Sequence, residues 1–178
     1  MAAQHNASDE HLIKQFKEGD SGAFSVLYER HVGSIYRRVR FVVPEADVED
    51  VTQEVFVAAL RSLPSFRGEA RFTTWLRSLA NNKVAEYYRK RARKQEPPEV
   101  PLSDKVADKE RNATVMEERI VLRKALRELP GHYQEVILLR FAEGLQFNEI
   151  ASLTGQSLEA TKSMFRRAMA ALRDCVEA

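Results

Sequence analysis

Apolar residues recur at intervals of three and four along most of the chain, and this spacing predicts amphipathic helices rather than strands. No segment shows the period-two alternation of a half-buried strand. Ser21 is predicted to cap the second helix, and Gly19 and Pro64 to end the helices before them. The sequence therefore predicts an all-α fold, with helices expected near 9–18, after Ser21, and near 46–62, 73–93, 114–128, 131–142, 146–153 and 158–174.

A polar, acidic segment divides this helical pattern in two. Residues 96–113 carry three of the six prolines, at positions 97, 98 and 101, together with five acidic and three basic side chains and no aromatic ring. Proline lacks an amide donor and disfavours helix in the residue before it. We therefore predict two small helical modules, residues 9–95 and 114–176, joined by a flexible linker over 96–113.

Composition excludes several classes of protein. No apolar run in the 178 residues approaches the ~18–20 that a membrane-spanning helix needs, and the N-terminus has no secretory signal pattern. The single cysteine, Cys175, precludes an intramolecular disulfide and fits a reducing cytoplasm. The four histidines are scattered without metal-ligand spacing, which disfavours a zinc site or a Cys/His nucleophile pair.

Charge is strongly segregated although the formal net charge is only +2. Residues 45–54 hold five acidic side chains and no Lys or Arg, whereas residues 61–94 hold ten Lys or Arg and two acidic side chains. An acidic patch suits a basic protein surface, and a cationic stretch suits a polyanion.

The acidic stretch is predicted to form one face of a helix. Asp50, Gln53 and Glu54 lie at positions i, i+3 and i+4 and share an exposed surface, which suits protein docking. A divalent-metal site that also uses Asp47 and Glu49 is the alternative, but no second cluster completes its coordination. Acidic residues near a helix start are also favoured by the helix dipole alone.

The cationic stretch interleaves aromatic rings with positive charges, a pattern typical of single-stranded nucleic-acid binding. Asn81 and Asn82 add amides that can read a base edge. Two structural alternatives stay open: Trp75 could be a core residue, and residues 89–94 could be a solvated helix end. The rings concerned are Phe66, Phe72, Trp75, Tyr87 and Tyr88.

Residues 146–173 show the pattern of a helix–turn–helix. A short amphipathic helix ends near Gly155, Ser157 can cap the next helix, and that second helix fits a DNA major groove. An ordinary helical hairpin with a solvated face is the alternative. Residues 156–178 balance to only +1, so this module alone should bind DNA weakly. The inward stripe is Thr161, Phe165, Ala168 and Leu172, and the outward face is Glu159, Lys162, Ser163, Arg166 and Arg167.

Four motifs occur in a characteristic order: DVEDVTQEVF, SFRGEARFTTWL, LANNKV with a basic tail, and a C-terminal segment that begins LPGHYQEVILLRFAEGLQFNEIA. With this order and a short two-module length, the chain resembles the extracytoplasmic-function (ECF, group four) sigma factors of the bacterial sigma-70 superfamily. The resemblance implies a region 2 module over 9–95 and a region 4 module over 114–176. It implies a non-enzymatic factor without cofactor, metal or catalytic residue, which directs core RNA polymerase to promoter −10 and −35 elements.

The resemblance also implies roles for single residues. The chain would bind core polymerase at the coiled coil of its largest subunit and the flap of its second subunit. The residues implied in this contact are Asp50, Gln53, Glu54 and Phe56. The melted −10 strand would contact Ser62, Phe66, Trp75, Asn82, Lys83 and Arg89. The −35 duplex would contact Lys162, Ser163, Arg166 and Arg167. Met164 and Met169 stand where many relatives carry arginines, and Glu159 where many carry glycine.

Regulation and rival functions follow from the same residues. The resemblance implies a cytoplasmic protein that an anti-sigma partner can inhibit and hold at the inner membrane, without direct membrane insertion. From the residues alone, three other functions stay open: a stand-alone DNA-binding repressor, a helical protein that only titrates partners, and a metal-dependent nuclease using the acidic helix.

Overall fold

The structure, a computed structural model, describes residues 7–94 and 109–177. This described part is almost entirely helical and contains no strand, which confirms the predicted all-α fold. It divides into two compact units, the first dominated by helices α1–α4 and the second by helices α5–α8.

The first unit is built from four helices and two short 3₁₀ turns. The turns, Glu45–Asp47 and Leu63–Ser65, lie immediately before and after the third helix. The helices are α1 (Asp9–Lys17), α2 (Ser21–Val42), α3 (Val48–Ser62) and α4 (Phe72–Lys94).

The turn between α1 and α2 partly follows the prediction. Gly19 has φ +106, a conformation that glycine adopts without strain, and it ends α1 as predicted. Ser21 is not the cap of α2 but its first residue. The cap is Asp20, whose Oδ1 accepts a hydrogen bond from the Gly22 amide at 2.9 Å, because a carboxylate one residue earlier reaches the open amides and suits the helix dipole.

The core of the first unit lies along the predicted apolar stripes. On α3 the stripe Val48, Val51, Val55 and Ala59 is buried throughout, as expected from its spacing. Burying one such side chain contributes roughly 1.5–3 kcal/mol, so these stripes decide which faces the helices turn inward. The partners from the other helices include Leu12, Ile13, Leu27, Ile35, Leu76 and Ala80.

The second unit is a bundle in which the last helix packs against the three before it. Its helices are α5 (Lys109–Glu128), α6 (Gly131–Ile137), α7 (Phe147–Thr154) and α8 (Leu158–Glu177). A π-helical turn, Leu138–Ala142, continues α6. Its core includes Leu126, Ile137, Leu139, Ile150, Ala168 and Leu172.

Helix α5 extends into the C-terminal end of the predicted linker. Helix α5 begins at Lys109, five residues before the predicted start of the second module at 114. The last helix-breaking proline is Pro101, and Lys109, Glu110 and Arg111 are good helix formers, so nothing prevents the helix from extending. The remainder of the predicted linker, 96–108, lies outside the described residues.

The turn between α7 and α8 has the predicted geometry. Gly155 is left-handed at φ 68, and its amide donates to the Ala151 carbonyl. Ser157 Oγ accepts a hydrogen bond from the Ala160 amide at 3.2 Å, so the predicted cap is present. These two devices set the angle at which α8 leaves the turn.

Gly155→Ala should destabilise the second unit by about 1 kcal/mol, because an L side chain is strained in the left-handed region. No atom lies within 4 Å of the added Cβ, so the cost is one of backbone conformation and not of crowding. Gly131→Ala is the matched control, since Gly131 begins α6 without a positive φ and also has open space. Urea denaturation followed by circular dichroism measures both; equal stability of the two variants would contradict the prediction.

Candidate functional site

A groove of about 460 Å³ lies between α3 and α4. Asp50, Gln53 and Glu54 line it from α3 and are all exposed, so the structure brings these three predicted residues onto one surface. Lys83 and Lys90 line it from α4. We call this the α3–α4 groove; its remaining lining residues are Val57, Ala58 and Arg61.

Ion pairs order the α4 side of the groove. The Glu86 carboxylate lies between two ammonium groups, 2.7 Å from Lys83 Nζ and 3.0 Å from Lys90 Nζ. Hydrogen bonds from Lys83 and then from Lys90 lower the pKa of Glu86 to about 2. The hydrogen bond to Glu86, together with the charge of Glu54, raises the pKa of Lys90. Both signs of charge therefore persist in the groove at neutral pH.

A three-residue clamp joins the start of α3 to α4. The Tyr87 hydroxyl donates to Asp47 Oδ2 at 2.6 Å, and Arg91 Nη1 donates to the Tyr87 oxygen at 2.6 Å. Burial, followed by the hydrogen bond to Asp47, raises the pKa of Tyr87, so its hydroxyl stays protonated. The predicted strand-stacking ring Tyr87 thus has a structural role, and Asp47 is engaged by this clamp.

Three rings meet where the loop after α3 enters α4, and we call them the aromatic cluster: Phe66, Phe72 and Trp75. The centroids of Phe66 and Trp75 lie 4.9 Å apart, and Phe72, only 3% exposed, contacts both from beneath. Phe66 and Trp75 are half-buried. Trp75 therefore fits both sequence interpretations, since part of its ring packs inward and part reaches the surface.

The serines before the cluster shape the turn that carries Phe66. Ser62 Oγ donates to the Ala58 carbonyl at 2.6 Å, and Ser65 Oγ donates to the Ser62 carbonyl at 2.8 Å. The bond from Ser65 satisfies the Ser62 carbonyl, one of the last four of α3, which have no partner within the helix, whereas the bond from Ser62 is a side-chain bond back to the preceding turn. Ser62 is thus placed beside the turn that leads to the cluster, and its hydroxyl proton is already used.

A second face of α4 carries Trp75, Asn82 and Arg89. They follow one another at intervals of seven residues, or about two helical turns, and so form one stripe. Asn82 and Arg89 are exposed, and no described residue pairs with either side chain. The neighbouring Asn81 differs, because its Oδ1 accepts bonds from Arg38 Nε at 3.2 Å and Nη2 at 3.1 Å. Of the two amides, Asn82 is the one available to a ligand.

Two predicted site residues lie elsewhere than expected. Phe56 was expected at the polymerase-binding surface but is only 5% exposed, and its ring packs against Tyr28 at 4.8 Å. It supports the surface from beneath, because it lies beside the buried stripe of α3. Lys83 was expected with the −10 residues but lines the α3–α4 groove, since it is rotated about 100° from Asn82 around the helix.

The structure adds groove residues that sequence reasoning did not select. Lys90, Arg61 and Val57 line the groove with the predicted residues. The seven-residue spacing of Lys83 and Lys90 could have indicated a shared face, but only the pairing of α3 with α4 shows what that face meets.

The outward face of α8 carries the four predicted −35 residues. Arg166 and Arg167 are exposed, and no described residue pairs with them. Lys162 is paired with Glu159 at 3.1 Å, which offsets part of its charge, and Ser163 is half-buried. Beneath this face, Phe165 packs on Phe141 and Phe147, with ring centroids 5.8 and 5.1 Å away.

The described residues contain neither a candidate metal centre nor a helix that could span a membrane. No group of three or more His, Cys, Asp or Glu residues in 7–94 and 109–177 is placed to hold a metal ion. Within the same ranges, no helix has the length and apolar character needed to cross a bilayer.

Comparison with protein families finds two matches, one in each unit. Sigma-70 region 2 matches residues 27–94, and Sigma-70, region 4 matches residues 119–172. The matches contain the α3–α4 groove, the aromatic cluster and the outward face of α8.

Relatives that match along nearly their whole length are also sigma factors. The chain is 30% identical to the ECF RNA polymerase sigma-E factor of Escherichia coli (strain K12) over 181 residues, covering 96% of this chain and 95% of the relative. The sigma-E factor of Haemophilus influenzae is 30% identical over 173 residues, covering 90% and 91%.

Two solved structures are also similar. CnrH in complex with the cytosolic domain of CnrY has 29% identity and a TM-score of 0.59, covering 95% of this chain and 97% of that one. The sigma factor RpoE of Bartonella quintana, in complex with the anti-sigma factor NepR, has a TM-score of 0.52 over 87% of this chain and 97% of its own. At 20% identity, RpoE supports the fold alone.

The matched modules, in this order, are those of a sigma factor of the sigma-70 type. With the full-length relatives, they show that the chain belongs to the ECF sigma factors. Its function is promoter-specific transcription initiation, as the sequence motifs predicted.

Lys83→Met should raise the pKa of Glu86 from about 2 toward its ordinary value of 4.5, because the largest stabilising hydrogen bond is lost. NMR titration of the Glu86 side-chain carboxyl measures this shift. Arg89→Met is the matched control on the other face of α4 and should leave the titration unchanged. A Glu86 pKa that stays near 2 in Lys83→Met would contradict the ion-pair arrangement.

Proposed function

We propose that this sigma factor uses three separate surfaces to start transcription. The α3–α4 groove binds core RNA polymerase, the aromatic cluster with the α4 stripe binds the melted −10 strand, and the outward face of α8 reads the −35 duplex. The observation that carries the proposal is the division of α4 into two faces. Lys83 and Lys90 turn toward the acidic wall of α3, whereas Asn82 and Arg89 turn away from it.

The groove suits a helical, basic partner such as the coiled coil of the largest polymerase subunit. Its α3 wall offers two carboxylates and an amide, and beside them Val57 and Leu60 are 46% and 42% exposed. An apolar strip flanked by charges is what an amphipathic helix recognises in a groove. The carboxylates favour a partner with Lys or Arg, and the cations of α4 restrict its register.

The aromatic cluster suits a base that has left the duplex stack. Unstacking a base costs a few kcal/mol, and stacking on a protein ring returns about 1–3 kcal/mol. Stacking on one ring therefore nearly offsets the free energy of unstacking, and further contacts must supply the net binding free energy. Asn82 and Arg89, on the same stripe as Trp75, are free to supply an amide hydrogen bond and a phosphate contact.

The α8 face suits a modest duplex contact. Arg166 and Arg167 can reach guanine edges or phosphates, whereas the charge of Lys162 is partly offset by Glu159. Few neutralised phosphates mean weak binding by this module alone. Tethered to the −10 contacts through the polymerase complex, the weak contact gains effective concentration when the promoter spacing is right.

Regulation by an anti-sigma protein is the second part of the proposal. It is supported by the similarity to CnrH, whose solved structure contains the cytosolic domain of CnrY. The protein would act in the cytoplasm, where the polymerase is, and such a partner could hold it at the inner membrane. In this role the sigma factor recognises promoter DNA and positions the polymerase on it. It does so without a cofactor or catalytic residue of its own, and the polymerase performs the chemistry.

Co-purification with core RNA polymerase, followed by run-off transcription from promoters mapped in the native host, tests the proposal. The expected result is a stable complex and initiation that depends on the added protein. A gel shift with the protein alone provides the contrast, because a stand-alone repressor would bind its operator tightly without polymerase. Tight binding without polymerase, combined with no core binding, would overturn the proposal.

The double variant Asp50→Ala/Gln53→Ala should weaken core polymerase binding at least about tenfold, the effect of roughly 1.4 kcal/mol. Both side chains are exposed, so the fold should be intact by circular dichroism. Fluorescence anisotropy of labelled protein titrated with core polymerase measures the affinity. Glu49→Ala is the control, since Glu49 is exposed on the same helix but does not line the groove. Wild-type affinity in the double variant would remove the groove from the interface.

Arg166→Ala should weaken holoenzyme binding to a −35-containing duplex about tenfold, within the ~1–3 kcal/mol of one good base contact. Core polymerase affinity should not change. Arg173→Ala is the control: Arg173 is exposed two turns further along α8, whereas recognition helices contact bases through their N-terminal residues. Footprinting of both holoenzymes measures the effect, and an unchanged −35 footprint in Arg166→Ala would contradict the assignment.

A further inference from the structure

Helix α1 lies before the part of the chain that matches sigma-70 region 2, which begins at residue 27. It nevertheless contacts the Leu63–Ser65 turn, which leads directly into Phe66 of the aromatic cluster. From the last residue of α1, Lys17 Nζ donates a hydrogen bond to the Phe66 carbonyl. A residue outside the matched region therefore holds the backbone that carries a predicted strand-binding ring.

The other end of α1 is anchored beneath the same cluster. The Asp9 carboxylate, 16% exposed, pairs with Arg30 and lies 2.8 Å from His31 Nε2. Burial alone would raise the pKa of Asp9, but hydrogen bonds and charges from His31 and Arg30 outweigh it, so the pKa is lowered and the group stays ionised. The His31 ring in turn contacts Phe72, with centroids 5.3 Å apart.

These contacts restrain Phe66 from both sides. Its amide donates to the Leu63 carbonyl at 3.1 Å, and its own carbonyl accepts from Lys17. With both peptide groups bonded, the backbone dihedrals that aim the Phe66 ring at Trp75 have little freedom left. Gly68, at φ 76, follows two residues later and gives the rest of the loop no comparable restraint.

We propose that α1 is a brace for the aromatic cluster, in which Lys17 is a positioning residue for Phe66 and Asp9 anchors the helix. The inference rests on the proposed function of the cluster, because it assigns to α1 a share of the affinity for the melted −10 strand. Lys17 acts through the Phe66 backbone and does not itself contact the strand.

Trp75 is the only tryptophan in the chain, so its fluorescence reports directly on the packing of Phe66. Lys17→Met keeps the aliphatic length of the side chain but removes the donor, and Lys17→Arg restores a donor. Lys14→Met is the matched control, since Lys14 is on the same helix and, among the described residues, its ammonium group has only an exposed ion pair with Glu18. Asp9→Asn tests the anchor at the other end.

The binding assay uses holoenzyme assembled with each full-length variant and a single-stranded oligonucleotide selected from a randomised library by the wild-type holoenzyme. Lys17→Met should shift the Trp75 emission and weaken strand binding about threefold to tenfold, the range expected for the loss of one ordinary solvent-exposed hydrogen bond. Lys17→Arg should restore both readings, and Lys14→Met should change neither. Asp9→Asn should move both readings in the same direction as Lys17→Met.

Two results would overturn the inference. If Lys17→Met equals Lys14→Met in emission and strand affinity, Lys17 does not position the cluster. If Asp9→Asn gives the emission and strand affinity of the wild type, Asp9 does not anchor α1. Phe66→Ala separates this failure from failure of the proposed function. If Phe66→Ala binds the strand as the wild type does, the cluster is not the strand site, and the share of affinity assigned to α1 falls with it.

Discussion

The packing of an acidic helix beside a cationic one is the constraint on which the first unit depends. Helices α3 and α4 carry opposite charge, and the Asp47–Tyr87–Arg91 clamp fixes their relative position at one end. Because a helix turns about 100° per residue, adjacent side chains of α4 face different surroundings. Lys83 lines the groove that the α3 carboxylates also line, while Asn82 remains open to solvent. One helix thereby serves two surfaces of different chemistry.

Short-range patterns in the sequence predicted the helices well, whereas long-range contacts left no local signal. The stripe Val48–Val51–Val55 and the turn at Gly155 follow from local periodicity and backbone chemistry, and both are present. The surroundings of Phe56 and Lys83 could not be predicted, because each lies at the border of a helix face, where only the neighbouring helix decides between burial and exposure. The Asn81–Arg38 bond, across 43 positions of sequence, had no local signal.

Internal neutralisation of charge occurs on two of the three proposed binding surfaces. In the groove Glu86 is shared by two lysines, and on α8 Glu159 offsets Lys162. A surface that already satisfies part of its own charge gains less from a polyanion, and its contacts depend more on geometry than on total charge. This is consistent with the formal net charge of only +2.

If the aromatic cluster binds the melted −10 strand as proposed, the burial of Phe72 beneath Phe66 and Trp75 has a consequence for the kinetics of promoter opening. Folding has already immobilised the receiving rings, so an extruded nucleotide finds a prepared platform and does not have to order it. Binding of the nucleotide by these rings can then compete with its rapid return to the base stack. A transient opening of the duplex is thereby converted into a stably melted segment.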